Sequence, residues 1–303
     1  MTGRFSNPQA VPSDSAPLYE QVRHQIQMLV LGRPLSDMTP LPPESQLIES
    51  LGVSRGTLRR AIEDLVREGL LRTVQGSGTF VNPDERVRRV VWNRLREVAR
   101  PDSRFDMNLQ KFVPDFADRH LADATVQSLD AWINADVVFI APDNSTEALR
   151  LHALADGKAV LVPTYGLTRG FVLLKGNLIK AVDRGLAATL DGMERFGKRL
   201  GPADLAEAGH VDVIVTGATA VTMNGQHIGG GQRYLALEIN LMRDLDVVND
   251  LVPVIAVVHD CQVIAETVQA KPECAVEIIV TPTRIIRCGT KTNIRKLTVK
   301  SNG

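Results

Sequence analysis

A glycine stop, a serine cap and a glycine-tipped turn follow one another between Leu51 and Val81, and this succession restricts the local fold more than any other feature of the sequence. Leu47, Ile48 and Leu51 make a short apolar helical face that Gly52 ends, as a glycine just past a helix commonly does. Ser54 then caps a helix predicted from Arg55 to Glu68, with Leu58, Ala61, Ile62 and Leu65 inward and Arg55, Arg59 and Arg60 outward. Gly69 stops that helix. Leu70–Val74 and Thr79–Val81 read as two short strands joined by Gln75-Gly76-Ser77-Gly78.

Upstream, Leu18, Val22, Ile26, Leu29 and Val30 recur at helical spacing until Gly32, Pro34 and the run from Thr39 to Pro43 interrupt them. Pro43 and Glu44 suit the first turn of the next helix. Three helices followed by a hairpin are the order of a winged helix-turn-helix, an α+β unit. A helix that enters the major groove needs small or polar residues near the bases and arginines for guanine edges and phosphates. Ser54, Arg55, Gly56, Thr57, Arg59 and Arg60 meet that need, with Gly76 and Ser77 at the tip of the wing. The competing reading of the arginines alone is a solvated basic face, and Glu63, Asp64 and Glu68 on the same helix favour it. The order of turn, helix and wing favours DNA.

The runs Pro17–Val22, Leu41-Pro42-Pro43-Glu44, Leu51–Ala61, Glu68-Gly69-Leu70 and Gly76–Val81 resemble the GntR-type winged-helix domain. The resemblance implies that Arg55, Gly56, Thr57 and Arg59 contact operator bases and phosphates and that Gly76 reaches the minor groove. It also implies a homodimer on an inverted-repeat operator in double-stranded DNA. One departure is visible: the family's Pro-Ser-Glu-Arg run is Pro42-Pro43-Glu44-Ser45 here, so the arginine contact from the second helix is missing or replaced.

Lysine usage divides the chain, because Lys111 is the first lysine and arginine supplies every strong positive charge before it. A length of 303 residues suits two domains. Lys plus Arg and Asp plus Glu balance at 35 each, so any nucleic-acid surface is a local patch and not a bulk field. Three cysteines, Cys261, Cys274 and Cys288, follow no metal or disulfide spacing and read as inert thiols of a reducing compartment. The sequence shows no signal-peptide pattern and no long apolar span, so a cytoplasmic bacterial protein, on the nucleoid when DNA-bound, with no membrane partner is expected.

Beyond Arg86, apolar strand candidates at Val137–Ala141, Ala159–Pro163, Phe171–Leu174, Val211–Val215, Val254–Val258 and Glu277–Val280 alternate with helical stretches, which argues for an α/β domain. A further strand candidate, Ala218–Met223, precedes Gly229-Gly230-Gly231-Gln232-Arg233-Tyr234 and a helix at Leu235–Leu245. Glycines between strand and helix let backbone N–H groups approach an anion, against the plainer reading of a flexible turn. His259-Asp260 lacks a second cluster at ligand spacing, so no metal is assigned.

The runs Val113-Pro114-Asp115-Phe116, Ala141-Pro142-Asp143-Asn144, Ala148-Leu149-Arg150, Ala153–Lys158, Val162-Pro163, Val258–Val263 and Val280–Arg284 resemble 5-formyltetrahydrofolate cyclo-ligases, especially the methenyltetrahydrofolate synthetase domain-containing branch. That implies a three-layer α/β fold of the isomerase and CoA-transferase kind, and an ATP- and folate-binding loop of pattern Arg-Leu-Gly-x-Gly-x-Gly-Tyr-Tyr-Asp. Against that loop Gly229, Gly231 and Tyr234 remain, while His227 replaces the arginine, Arg233 the third glycine, Leu235 the second tyrosine and Ala236 the aspartate. Losing the carboxylate removes a metal or proton partner, so no catalytic residue is assigned and the domain is expected to bind without turnover.

The expected effector site comprises Arg150, Lys158, Gly229, Gly230, Gly231, Gln232, Arg233, Tyr234 and Glu238, with Arg284 nearby. Its expected ligand is an anionic metabolite: a folate, a nucleotide, or a phosphorylated or carboxylated compound. The expected organisation is an N-terminal arm without fixed structure at 1–16, the winged helix at 17–82, a linker at 83–88, the α/β effector and oligomerisation domain at 89–288 and a basic tail at 289–303. Two alternatives accompany a ligand-responsive regulator: an ATP-dependent cyclo-ligase-like enzyme with a fused DNA-binding domain, and a ligand-free dimerisation scaffold.

Overall fold

The computed structural model describes residues 16–100, 113–230, 233–265, 268 and 272–289. The expected N-terminal arm up to residue 15, the tail beyond 289, and Gly231 and Gln232 lie outside the described residues. The chain divides into two units, with the boundary after Val90.

In the first unit, α1 (Leu18–Leu31), α2 (Glu44–Leu51) and α3 (Arg55–Arg67) share a core of Val22, Ile26, Val30, Leu47, Leu58 and Leu65. Gly52 ends α2 in the left-handed region, φ 64°, and donates its N–H to Ile48 O, so the α2–α3 turn uses a conformation that a side chain would oppose. Ser54 caps α3 by accepting from Thr57 N at 3.2 Å. β1 (Leu71–Val74) and β2 (Gly78–Val81) pair antiparallel with Leu71 opposite Val81, and Gly76 at φ 76° turns the wing. The predicted helix and strand limits differ from these by a residue at most.

Residues 83–88, expected as a linker, are instead the opening of α4 (Pro83–Leu95). Asn82 Oδ1 accepts from Asp84 N at 3.2 Å, as an N-cap does. Arg86 is buried and donates to Asp37 O at 2.8 Å and to Pro34 O. Arg89, also buried, donates to Glu85 at 2.9 Å and to Glu68 at 3.2 Å. The segment is thus a hydrogen-bonded helix. Its acidic first turn, Asp84 and Glu85, suits the helix dipole.

In the second unit, β3 (Ala99–Arg100) and β4 (Asp115–Phe116) form an antiparallel pair, and α5 (Arg119–Gln127) and α6 (Asp130–Ile133) follow. The main sheet takes β5 (Val137–Ile140), β6 (Ala159–Pro163), β7 (Phe171–Lys175), β8 (Lys198–Leu200), β9 (Val213–Thr216), β12 (Val254–Val257), β14 (Ile278–Val280) and β15 (Ile285–Arg287), in the order β15-β14-β12-β9-β5-β6-β7-β8. From β14 to β6 the neighbours run parallel, and β15, β7 and β8 are antiparallel additions at the edges. Between these strands lie α7 (Glu147–Ala155), α8 (Arg184–Ala188) and α9 (Met193–Phe196). A small sheet joins β10 (Ala220–Thr222) to β11 (His227–Ile228) and β13 (Val263–Ile264), and α10 spans Tyr234–Asp244.

Strands that alternate apolar residues over both faces must be covered on both. Val138, Ile140, Val213, Val215, Ile255 and Val257 face a core shared with α7 through Leu149, Ala153 and Leu154. Phe139, Leu161, Ile214, Ala256 and Ile279 face the opposite core, shared with α10 through Leu235, Ile239 and Met242. The result is the expected α/β layering around one large mixed sheet. Among the described residues no helix is long and apolar enough to cross a membrane.

Candidate DNA-recognition face and carboxyl-end cluster

The capped start of α3 presents Ser54, Arg55 and Gly56 to solvent, with Thr57 half-buried behind them. Ser54 and Thr57 hydroxyls also meet at 2.9 Å, which fixes both side chains at the helix entry. Arg59 is 57 % exposed and donates from Nε to both carboxylate oxygens of Glu44, each at 3.2 Å. Pairing through Nε restricts the orientation of the guanidinium while its terminal nitrogens make no bond to Glu44. Arg60 instead lies over the Tyr19 ring of α1 at 3.8 Å, a cation–π contact that ties α3 to α1. Gly76 and Ser77 are exposed at the wing tip, as expected. The Glu44–Arg59 pair was not foreseen; its signal was Glu44 itself, kept at the start of α2 where the family's arginine is lost.

In an open parallel sheet the ligand-facing loops follow the carboxyl ends of the strands. Here β5 leads to Asp143, β9 to Gly217 and β12 to His259, and the small sheet brings His227 and Gly229 to the same end. Asp143 accepts from Gly217 N at 2.8 Å, and His227 Nε2 bonds Gly217 O at 2.7 Å. A carbonyl only accepts, so Nε2 carries the hydrogen and, in the neutral ring, Nδ1 is an acceptor. His227 Nδ1 and Ser145 Oγ are both buried without a hydrogen-bond partner among the described residues. A Cβ on Gly217 would sit 2.6 Å from Ser145 Oγ and 2.9 Å from Asp143 Oδ2, so the absence of a side chain is what lets these groups approach. Glu273 packs its carboxylate against Gly229, and its N–H donates to His227 O at 2.8 Å.

Burial raises the Asp143 carboxyl above the usual range, with the Glu273 charge adding to it against His227 and Arg150. Glu238 on α10 is only 2 % exposed, and burial, then the charges of Asp143 and Glu273, push it up to about 8. Acidic groups therefore gather at this end of the sheet.

The expected basic residues are placed differently. Arg150 is fully buried and donates to Ala188 O at 2.8 Å, Ala141 O at 2.9 Å, Asp143 O at 3.3 Å and Thr146 Oγ1 at 3.0 Å. Its guanidinium holds the β5–α7 loop that presents Asp143. Lys158 immediately precedes β6, at the amino end of the parallel strands, and donates to Ala135 O at 2.7 Å. That is the opposite end from Asp143. Arg233 adopts φ 58° at the start of α10 and donates to Pro272 O at 3.1 Å. Arg284 pairs with Asp260 at 3.2 Å. Tyr234 lies over Gly166, whose Cβ would come 3.3 Å from the phenol oxygen. Gly230 is exposed. Of the expected set, Gly229 and Glu238 join Asp143, His227 and Glu273; the guanidinium of Arg150 supports them from behind. Burial pushes the Cys261 thiol up to about 11 and also raises Cys274 and Cys288, which disfavours thiolate chemistry.

Comparison with known proteins bears on both units. Residues 18–81 match the bacterial regulatory proteins of the gntR family, and residues 82–282 match the 5-formyltetrahydrofolate cyclo-ligase family. The human methenyltetrahydrofolate synthase domain-containing protein is 30% identical over 213 residues, 68% of this chain and 53% of that protein. The chain thus spans about half the length of such relatives. The HTH-type pyridoxine biosynthesis transcriptional regulator PdxR of Corynebacterium glutamicum is 36% identical over 124 residues, covering 41% of this chain and 26% of that protein. A solved structure of the AraR DNA-binding domain in complex with operator ORR3 shares 41% identity over 23% of this chain and 86% of that chain, at a TM-score of 0.22. The chain belongs to the 5-formyltetrahydrofolate cyclo-ligase family and carries, ahead of that domain, a DNA-binding winged helix of the gntR family.

Proposed function

We propose that the protein is a homodimeric, ligand-responsive transcription regulator whose winged helices read an inverted-repeat operator while the cyclo-ligase-like domain binds an effector without turning it over. The observation that carries the DNA half is Arg59, exposed on the capped recognition helix and oriented by Glu44. Bidentate arginine contacts to guanine are the commonest specific readout in the major groove, and a second half-site multiplies a modest single-site affinity. Arg55, Gly56 and Thr57 complete the reading face, Gly76 and Ser77 enter the neighbouring groove, and Arg60 positions the helix through Tyr19.

The binding half rests on the replacements in the glycine loop. Ala236 cannot supply the carboxylate that the resembled enzymes place there, and His227 is held by Gly217 O instead of extending as an arginine would. Effector binding at the carboxyl-end cluster alters how the second domains pair, and so the spacing of the two recognition helices. The protein acts in the cytoplasm, on the nucleoid when bound to DNA.

The test is selection of bound sequences from random duplex DNA with the full chain, followed by anisotropy titrations. An inverted repeat, lost on Arg59→Ala, is expected; retention of only salt-sensitive, sequence-blind binding overturns the reading. Release of ADP from ATP with a 5-formylfolate would make the second domain an enzyme.

A further inference from the structure

Among the described residues, the side chains gathered at the carboxyl ends of β5 and β9 are mostly carboxyls, which accept once ionised. Asp143 offers its carboxylate beside Gly217, and Glu273 offers its own beside Gly229. Glu238 on α10 is buried, and the charges of both carboxylates act on it. His227 is 3 % exposed, and its Nδ1 is buried and unpartnered among the described residues. An unmet buried acceptor is costly, and a donor from a bound ligand would recover that cost. Among the described residues Arg150 is the arginine whose charge acts on Asp143, and it is already committed to backbone carbonyls and to Thr146. Arg233 is turned to Pro272 O.

Among the described residues, an anion brought here would meet Asp143 and Glu273 with Arg150 and Arg233 already bonded to backbone carbonyls. A single metal ion is equally ill-matched, since among the described residues no three His, Cys, Asp or Glu side chains are close enough together to hold one. Acceptors spread over several positions suit a planar cation with several N–H groups, which pair with carboxylates two at a time.

We propose that this cluster binds an organic cation of the amidine or guanidine class, its N–H groups donating to Asp143, Glu273, Glu238 and His227 Nδ1. The inference deepens the effector-binding part of the proposed function and rests on it. The ligand's positive charge favours ionised Glu238, so binding below the Glu238 titration releases a proton from that carboxyl to the buffer. Among the described residues, Asp143 and Glu273 are the charged groups that act on Glu238, and both raise it as burial does.

Calorimetric titration of the full chain with benzamidine and with agmatine, against ATP, tests this in buffers of differing ionisation heat. Both cations are expected to bind with proton release, more tightly by about 10-fold at about pH 9 than at about pH 7, given a Glu238 titration near 8. Glu238→Gln should abolish that pH dependence, and Glu273→Gln should weaken binding by about 10-fold or more. Absence of binding by either cation at millimolar concentration, or binding of ATP in preference to both, overturns the inference. So does cation binding without proton release, a wild-type measurement that stands even where a variant fails to fold. Operator binding by the same preparation is read separately: its loss overturns the regulator reading, and its persistence without cation binding overturns the ligand class alone.

Discussion

Arg150 distinguishes a structural guanidinium from a ligand-binding one, and Arg150→Met separates the two. Methionine keeps most of the buried aliphatic volume and removes the donors, so packing loss is small and the hydrogen bonds dominate. Thr146 Oγ1 still donates to Ala141 O at 2.7 Å and to Asp143 O at 2.9 Å, so those carbonyls keep a partner. Ala188 O loses the Nε donor at 2.8 Å and stays buried. One orphaned carbonyl at ~1–3 kcal/mol and the lost charge-assisted bonds at ~1–2 kcal/mol together give a cost of about 3 kcal/mol. For a domain of about 200 residues that lowers Tm by roughly 6–12 °C. The assay is built in: Trp92 and Trp132 are the only tryptophans, and both lie in the second unit, so their fluorescence follows its unfolding. Loss of stability below about 0.5 kcal/mol would refute the assignment of Arg150 to the loop, because a surface cation released from a ligand site leaves stability nearly unchanged.

Arg59→Ala should cost about 1–3 kcal/mol of specific operator binding, read by anisotropy, with the tryptophan-detected stability unchanged. Glu44→Gln should cost less, since the arginine stays and only its orientation loosens. Gly52→Ala meets open space but sits at φ 64°, so it should destabilise the first unit by about 1 kcal/mol, read by hydrogen exchange of α2 and α3. Burial raises Asp123 to about 6 despite its Arg119 partner, so its contribution to second-unit stability is greatest near pH 4 and is lost as pH rises through about 6; Asp123→Asn should flatten that part of the urea-midpoint profile.

The first unit was readable because each of its boundaries is set by one residue with a local reason. Gly52 takes a positive φ, Ser54 satisfies the α3 N-terminus, and Gly76 turns the wing, none of which needs distant partners. In the second unit the central strands were equally legible, because Val138, Phe139 and Ile140 alternate between two buried cores. Short edge strands such as β8 and β15 were missed: Lys198-Arg199-Leu200 and Ile285-Ile286-Arg287 carry too little apolar pattern to announce a strand, and pairing with β7 and β14 makes them. The segment 83–88 reads as a joint for its Pro83 and its charges. Arg86 and Arg89 turn it into an anchored helix only through carbonyls and carboxylates far away in sequence.

The same distinction explains why the second site was half legible. A sequence shows that a residue is basic and leaves unstated which acceptors claim it. Arg150 and Lys158 have the right type for an anion site, yet backbone carbonyls at Ala188 and Ala135 take their donors, and strand polarity alone puts Lys158 at the far end of the sheet from Asp143. Conversely, Asp143 and Glu273 look like ordinary loop residues, and nothing local joins them to His227 on β11 or Glu238 on α10. They meet because parallel strands send every following loop to one end, and because Gly217 and Gly229 leave room for two side chains to close in. A glycine in such a place is informative only once its neighbours are known, so the chemistry of this end of the domain follows from topology acting on residues that the sequence scatters.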